Sequence, residues 1–249
     1  MTKIISMKNF YLVFLASGIF ISCKDSNSIR LTKVEGSPEY GTSKLNFNNV
    51  VKSSDTLDSN VYFFNYEVEN YELGAQTIEE FDYTLANSQK GQHIHVIVNN
   101  GPYSAKYQSS FEQKLDSDNN VILAFLSRSY HESVKNTNSY SIIQVGNGER
   151  IDTSKELLFY SRPKGIYKGK DADKVLLDFF LVNTNLSADG NRVKATIIDK
   201  EFIIDEWAPY YIEGLPNGEI YIKLELQDSN GDLIDSPFNP SERRFTLEN

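Results

Sequence analysis

Seven short segments rich in β-branched and aromatic residues constrain this chain most. They are VYFFNYEV (61–68), HIHVIV (93–98), NVILAFL (120–126), YSIIQV (140–145), KVLLDFFLV (174–182), RVKATII (192–198) and EIYIKLEL (219–226). Such residues suit a pleated, partly buried surface. Asn100-Gly101, Asn147-Gly148, Asn217-Gly218 and Asn230-Gly231 fall between or after them as turn signals. No stretch keeps a long 3.6-residue period, so little helix is expected. The pattern predicts an all-β chain of sandwich type.

The strand pattern also repeats. VYFFNYEVENYELG (61–74) can be laid over VLLDFFLVNTNLSADG (175–190), and GQHIHVIVNN (91–100) over GNRVKATIID (190–199) without a gap. VILAFLSRSYHES (121–133) falls on IYIKLELQDSNGD (220–232), and YSIIQV (140–145) on RRFTLE (243–248). Order and spacing are nearly kept. Two tandem immunoglobulin-like β-sandwiches are therefore expected, at 50–148 and 155–249, each near the roughly 100 residues usual for such a domain.

The N-terminus reads as an address. Lys3 and Lys8 precede the mainly apolar run FYLVFLASGIFI (10–21), which ends at Ser22-Cys23. A basic start, a short apolar stretch and a small residue at the cut site define a secretory signal. The run is shorter than the roughly 20 residues a membrane span needs. Cys23, the one cysteine of the chain, stands where bacterial lipoproteins carry their lipidated residue. Residues 1–22 are thus expected to be a lipoprotein signal peptide, and Cys23 the lipid attachment point. The polar stretch 23–49, broken by Gly36, Pro38 and Gly41, reads as a tether. The implied location is the bacterial cell envelope, with the membrane as partner through the lipid.

Charge narrows the remaining partners. Without Lys3 and Lys8 the chain has 23 basic and 34 acidic residues, a net charge of −11. A body this acidic repels phosphate backbones, so nucleic acid is not an expected partner.

The three histidines lie in two motifs, His93-Ile94-His95 and His131-Glu132. Residues two apart on a strand share a face. In the second copy the matching positions are Arg192 and Lys194, long cations that belong in water. The His93/His95 face is accordingly expected to point outward. Neutral imidazole ligates zinc or copper, so His93, His95 and His131, with Glu132 as an oxygen ligand, form a candidate Zn or Cu site. The opposing reading packs the pair under aromatic rings.

Other signals are weaker. The SRSYHES segment offers Ser129 and Ser133 near a histidine, but nothing resembles a G-x-S-x-G elbow. Trp207, Tyr210 and Tyr211 form an aromatic cluster that is either core or a stacking platform. Arg128 and Arg162 are candidate cations for an anionic or phosphopeptide ligand if they converge at the junction of the copies.

The chain resembles a family of uncharacterised bacterial lipoproteins that share a HIH strand (93–95), an SRSYHES hairpin (127–133) and a YSRPKG junction (160–165). That resemblance implies exported, non-enzymatic β-domains, and some members carry a phosphopeptide-binding label. The expected role is non-enzymatic protein or peptide binding at the envelope. Zinc or copper binding through the histidines is one alternative, and hydrolysis another.

Overall fold

The computed structural model describes residues 28–53, 60–78 and 86–248; the expected signal peptide and Cys23 lie outside the described residues. In chain order the strands are β1 (Arg30–Lys33), β2 (Lys44–Lys52), β3 (Val61–Glu69), β4 (His93–Val98), β5 (Ser104–Lys106), β6 (Ser110–Lys114), β7 (Asn119–Ser127) and β8 (Tyr140–Gly146). They continue with β9 (Leu157–Arg162), β10 (Gly165–Lys168), β11 (Lys174–Val182), β12 (Arg192–Ile197), β13 (Lys200–Ile204), β14 (Tyr210–Glu213), β15 (Gly218–Gln227) and β16 (Ser241–Glu248).

These strands build two tandem immunoglobulin-like sandwiches. The first pairs a β2-β3-β6 sheet with a β5-β4-β7-β8 sheet. The second pairs β1-β14-β11-β9 with β10-β16-β15-β12-β13. Strands that overlie each other in the sequence repeat hold the same places in the two orders: β3 with β11, β4 with β12, β7 with β15, β8 with β16.

Each sandwich has its own core. Phe64, Tyr66, Ile94, Val96, Phe111, Ile122, Ala124 and Leu126 fill the first. Leu158, Tyr160, Val175, Leu177, Phe179, Val193, Ile222 and Phe245 belong to the second. Alternation sends the remaining side chains of β4, β7, β9 and β11 the other way, and there they meet one another. Ile97, Val121, Leu123 and Phe125 of the first sandwich pack on Leu157, Phe159, Phe180 and Val182 of the second. Phe125 stacks on Phe180 with ring centroids 4.7 Å apart. The β5-β4-β7-β8 sheet therefore lies against the β9/β11 face, and β7 and β11 are buried on both sides. This explains why their runs are almost wholly apolar, since a strand covered on both faces has no solvent side to mark with polar residues; the one charge within them, Asp178, is buried and paired with Lys135.

The expected tether at 23–49 needs correction over its described part. Arg30–Lys33 pairs antiparallel with β14, from Arg30↔Glu213 to Lys33↔Tyr210. Lys44–Asn49 is the first part of β2. Polar composition hid β1 because an edge strand is held by its ladder of backbone hydrogen bonds and need bury little. Here Leu31 packs on the second core, and Val34, just after the strand, packs on Leu176. From there the chain crosses to the first sandwich. The Val34 amide donates to the Pro209 carbonyl at 2.9 Å, Ser37 Oγ donates to Glu132 at 2.7 Å, and Tyr40 meets Tyr71 edge-on at 4.8 Å. One segment thus straps the two sandwiches together.

Candidate metal centre

His93 and His95 leave β4 on the same face, as the two-residue period requires. That face does not point to water: both rings are fully buried. Arg192 and Lys194 predicted the opposite because their strand, β12, has no second sandwich over it, whereas β4 does. His131 comes from the turn after β7, at φ 69°, and is half-buried. Its backbone amide closes the turn on the Arg128 carbonyl at 2.8 Å, which swings the ring back over the β4 face.

The three rings converge. His93 and His131 centroids are 4.8 Å apart, as are those of His93 and His95. One candidate ligand nitrogen from each histidine lies within 4.8 Å of the others. His93 Nδ1 faces the Gly91 carbonyl at 2.8 Å. A carbonyl only accepts, so Nδ1 carries the proton and the lone pair sits on Nε2. That Nε2 is 3.1 Å from His131 Nδ1. An ion about 2.0–2.1 Å from both would bridge this gap at roughly 100°, close to tetrahedral. Tetrahedral ligands of such an ion stand roughly 3.4 Å apart, so closing on His95 draws the set inward by on the order of 1 Å. The Gly91 bond is of the kind that would orient His93 if it held a metal.

Burial, first of all, keeps these imidazoles neutral. It pushes His93 down to about 4, with Arg162 adding to the effect against the Gly91 hydrogen bond. It pushes His131 down to about 2, helped by Arg162, His93 and Lys164. His95 lies well below its ordinary value from burial and from the other two rings. Neutral imidazole is the form that binds a metal.

A basic shell surrounds the rings. Tyr103 stacks on His95 with centroids 3.6 Å apart, and its hydroxyl is 3.4 Å from His131 Nδ1. Arg162 donates to that hydroxyl from Nε at 3.0 Å and Nη2 at 2.6 Å. Lys164 Nζ lies 3.7 Å from the Tyr103 ring centroid. Tyr103 escaped the sequence reading, although Asn99-Asn100-Gly101 marks the hairpin that returns it beside β4. Ser127 and Ser161 flank His95, at 3.3 Å from Nε2 and 3.4 Å from Nδ1.

The other candidate residues sit elsewhere. Glu132 is not in the histidine group. Its carboxylate pairs with Arg128 at 2.8 Å and accepts from Ser37, because adjacent residues of the turn aim in different directions. Arg128 also donates from Nη1 to the Ser133 carbonyl at 2.8 Å and from Nε to the Pro38 carbonyl at 2.9 Å. Arg128 and Arg162 are held by different partners rather than sharing one pocket. Tyr210 is core, 9% exposed, with its hydroxyl on the Glu206 carbonyl at 2.9 Å. Trp207 lies edge-on to Phe180 at 5.0 Å and donates to the Phe179 carbonyl at 3.0 Å. It lines a cleft of about 570 Å³ beside the strap, with Arg128, Glu132 and Lys135.

Ser129 Oγ accepts from the Thr77 amide at 3.2 Å, and Ser133 Oγ donates to Asp178 at 2.9 Å. Ser127 does meet His95, but the other nitrogen of that ring faces Ser161 where a triad needs an orienting acid.

No family model matches the chain, and no curated protein matches it. Solved structures do. The fibronectin(III)-like modules of Clostridium thermocellum CbhA are similar at 9% identity and TM-score 0.29, over 80% of this chain and 94% of that one. A central fibronectin-III array of RIM-binding protein matches at 11% identity and TM-score 0.27, over 82% and 68%. The two tandem V-type regions of VCBP3, a v-region-containing chitin binding protein, match at 7% identity and TM-score 0.22, over 89% and 99%. Likeness at these scores carries no argument about function.

Proposed function

We propose that this protein binds a zinc- or copper-class metal ion through His93, His95 and His131, on a chain whose sequence expects a lipid anchor at Cys23 in a bacterial envelope. The observation that carries the reading is the convergence of three neutral imidazoles from β4 and the turn after β7, with nitrogens within 4.8 Å of one another. Burying three imidazoles costs free energy unless their nitrogens are used. The His93 Nε2 lone pair faces His131 Nδ1 across 3.1 Å, a contact that a His131 Nδ1–H can fill in the metal-free protein and that a cation can fill once His131 carries its proton on Nε2. The phosphopeptide reading is less well supported, because Arg128 already spends its donors on two carbonyls and Glu132.

Calorimetric titration of the purified protein with zinc and with copper tests the proposal. One equivalent of at least one of these metals should bind at micromolar strength or tighter. His131→Asn, which tolerates the left-handed turn, should weaken binding beyond the roughly 10–100-fold typical of losing an outer-shell partner. A folded His93→Ala/His95→Ala variant should lose it altogether. Absence of binding by the unmodified protein, or binding unchanged in both variants, would sink the reading.

A further inference from the structure

Resting on that reading, we propose that the three-histidine site takes a monovalent ion of the copper(I) class in preference to zinc(II) or copper(II). The argument is one of charge. Three imidazoles bring no negative charge to an ion. The charged groups held against the site are cations: Arg162, whose guanidinium grips the Tyr103 hydroxyl, and Lys164, 3.7 Å from the same ring. That ring stacks on His95 at 3.6 Å, so one aromatic thickness separates the lysine-bearing ring from a ligand.

Among the described residues the nearby anions are already committed. Glu132, next in sequence to His131, is bound to Arg128 and Ser37. Asp178 is fully buried and is bound to Ser133 and Lys135. The Tyr103 oxygen turns its lone pairs to Nε and Nη2 of Arg162, which leaves it a poor fourth ligand.

Coulomb repulsion from a fixed cation scales with the charge of the incoming ion. A divalent metal therefore bears twice the penalty of a monovalent one here, and finds no carboxylate among the described residues to offset it. Zinc accepts three histidines when water fills its fourth position, so the number of nitrogens does not separate the ions and the preference rests on charge. Imidazole suits copper and zinc alike, so ligand type leaves the choice to charge.

The test uses the full chain under anaerobic, chloride-free conditions. Copper(I), silver(I) as a redox-inert monovalent probe, and zinc(II) are each titrated against a competing chelator. The unmodified protein should hold both monovalent ions more tightly than zinc. Lys164→Gln removes one cation without touching a histidine. Its gain for zinc should be the square of its gain for silver, so that tenfold for silver accompanies about a hundredfold for zinc. Lys164→Arg keeps the charge and should leave the zinc-to-silver ratio unchanged. Zinc bound more tightly than both monovalent ions would overturn the inference while leaving the histidine site intact. Equal gains for both ions in Lys164→Gln would overturn its electrostatic basis. Failure of every ion to bind would remove the inference together with the reading beneath it.

Discussion

An imidazole taken out of water loses its protonated form first, and this makes His93 and His95 sensitive to pH. Burial lowers His93 from 6.5 to about 4 and His95 well below 6.5. Below pH 6.5 the unfolded chain binds protons that the folded chain refuses, so stability rises with pH. It is complete above the unfolded value and is lost as pH falls toward the folded ones. At about 1.4 kcal/mol per pKa unit, the metal-free protein should lose about 2 kcal/mol through His93 between pH 7.5 and 5. Urea unfolding in the presence of a chelator measures this, and His93→Gln should flatten the slope. An equal slope in the variant would show that His93 is not held neutral by burial. The pairing of His93 with His95 was legible from their spacing alone. Their burial was not, because the analogy with Arg192 and Lys194 compares a covered strand with an uncovered one.

Strands advertise themselves through the faces they bury. β12 reads RVKATI and alternates, with Val193, Ala195 and Ile197 inward and Arg192, Lys194 and Thr196 more exposed. β7 does not alternate, and its buried pattern shows that the missing polar face was itself the signal of a covering layer, whereas in β4 His93 and His95 alternate with Ile94 and Val96 and disguise the cover. β1 left no such signal. Its burial is slight, its partner β14 lies about 180 residues away, and its fixation is by backbone. Hydrogen exchange should therefore find ladder amides of Arg30–Lys33 protected well beyond the free-chain rate, and exchange within these four residues at the free-chain rate would restore the tether. The opening of β2 was missed for a similar reason: Leu45 is its one fully buried side chain, and polar residues such as Asn46 and Asn49 dilute the pattern.

Across the whole molecule the sheets stack in sequence, with an apolar layer around Phe125 and Phe180 between the sandwiches. Beside that layer, Lys135 of the first sandwich forms an ion pair with the fully buried Asp178 of the second. Breaking such a pair from one side typically costs about 3–5 kcal/mol. Asp178→Ala should lower stability by that amount in equilibrium denaturation, whereas Asp235→Ala, which removes the exposed partner of Lys155, should change it by under about 1 kcal/mol. Equal effects would mean that the buried pair does not latch the sandwiches.

The sandwich fold was legible in the spacing of strands and turns, because each core is built within about a hundred residues of chain. The joining of the sandwiches was not, since it depends on side chains that meet only once both have folded. The second sandwich covers part of the histidine group: Ser161 of β9 meets His95, and Arg162 holds the hydroxyl of Tyr103, whose ring stacks on His95. X-ray absorption at the edge of the bound metal tests that site most directly. Three imidazole nitrogens near 2.0 Å, with the multiple-scattering pattern of intact rings, are the predicted result. A shell dominated by oxygen would contradict a centre built from His93, His95 and His131.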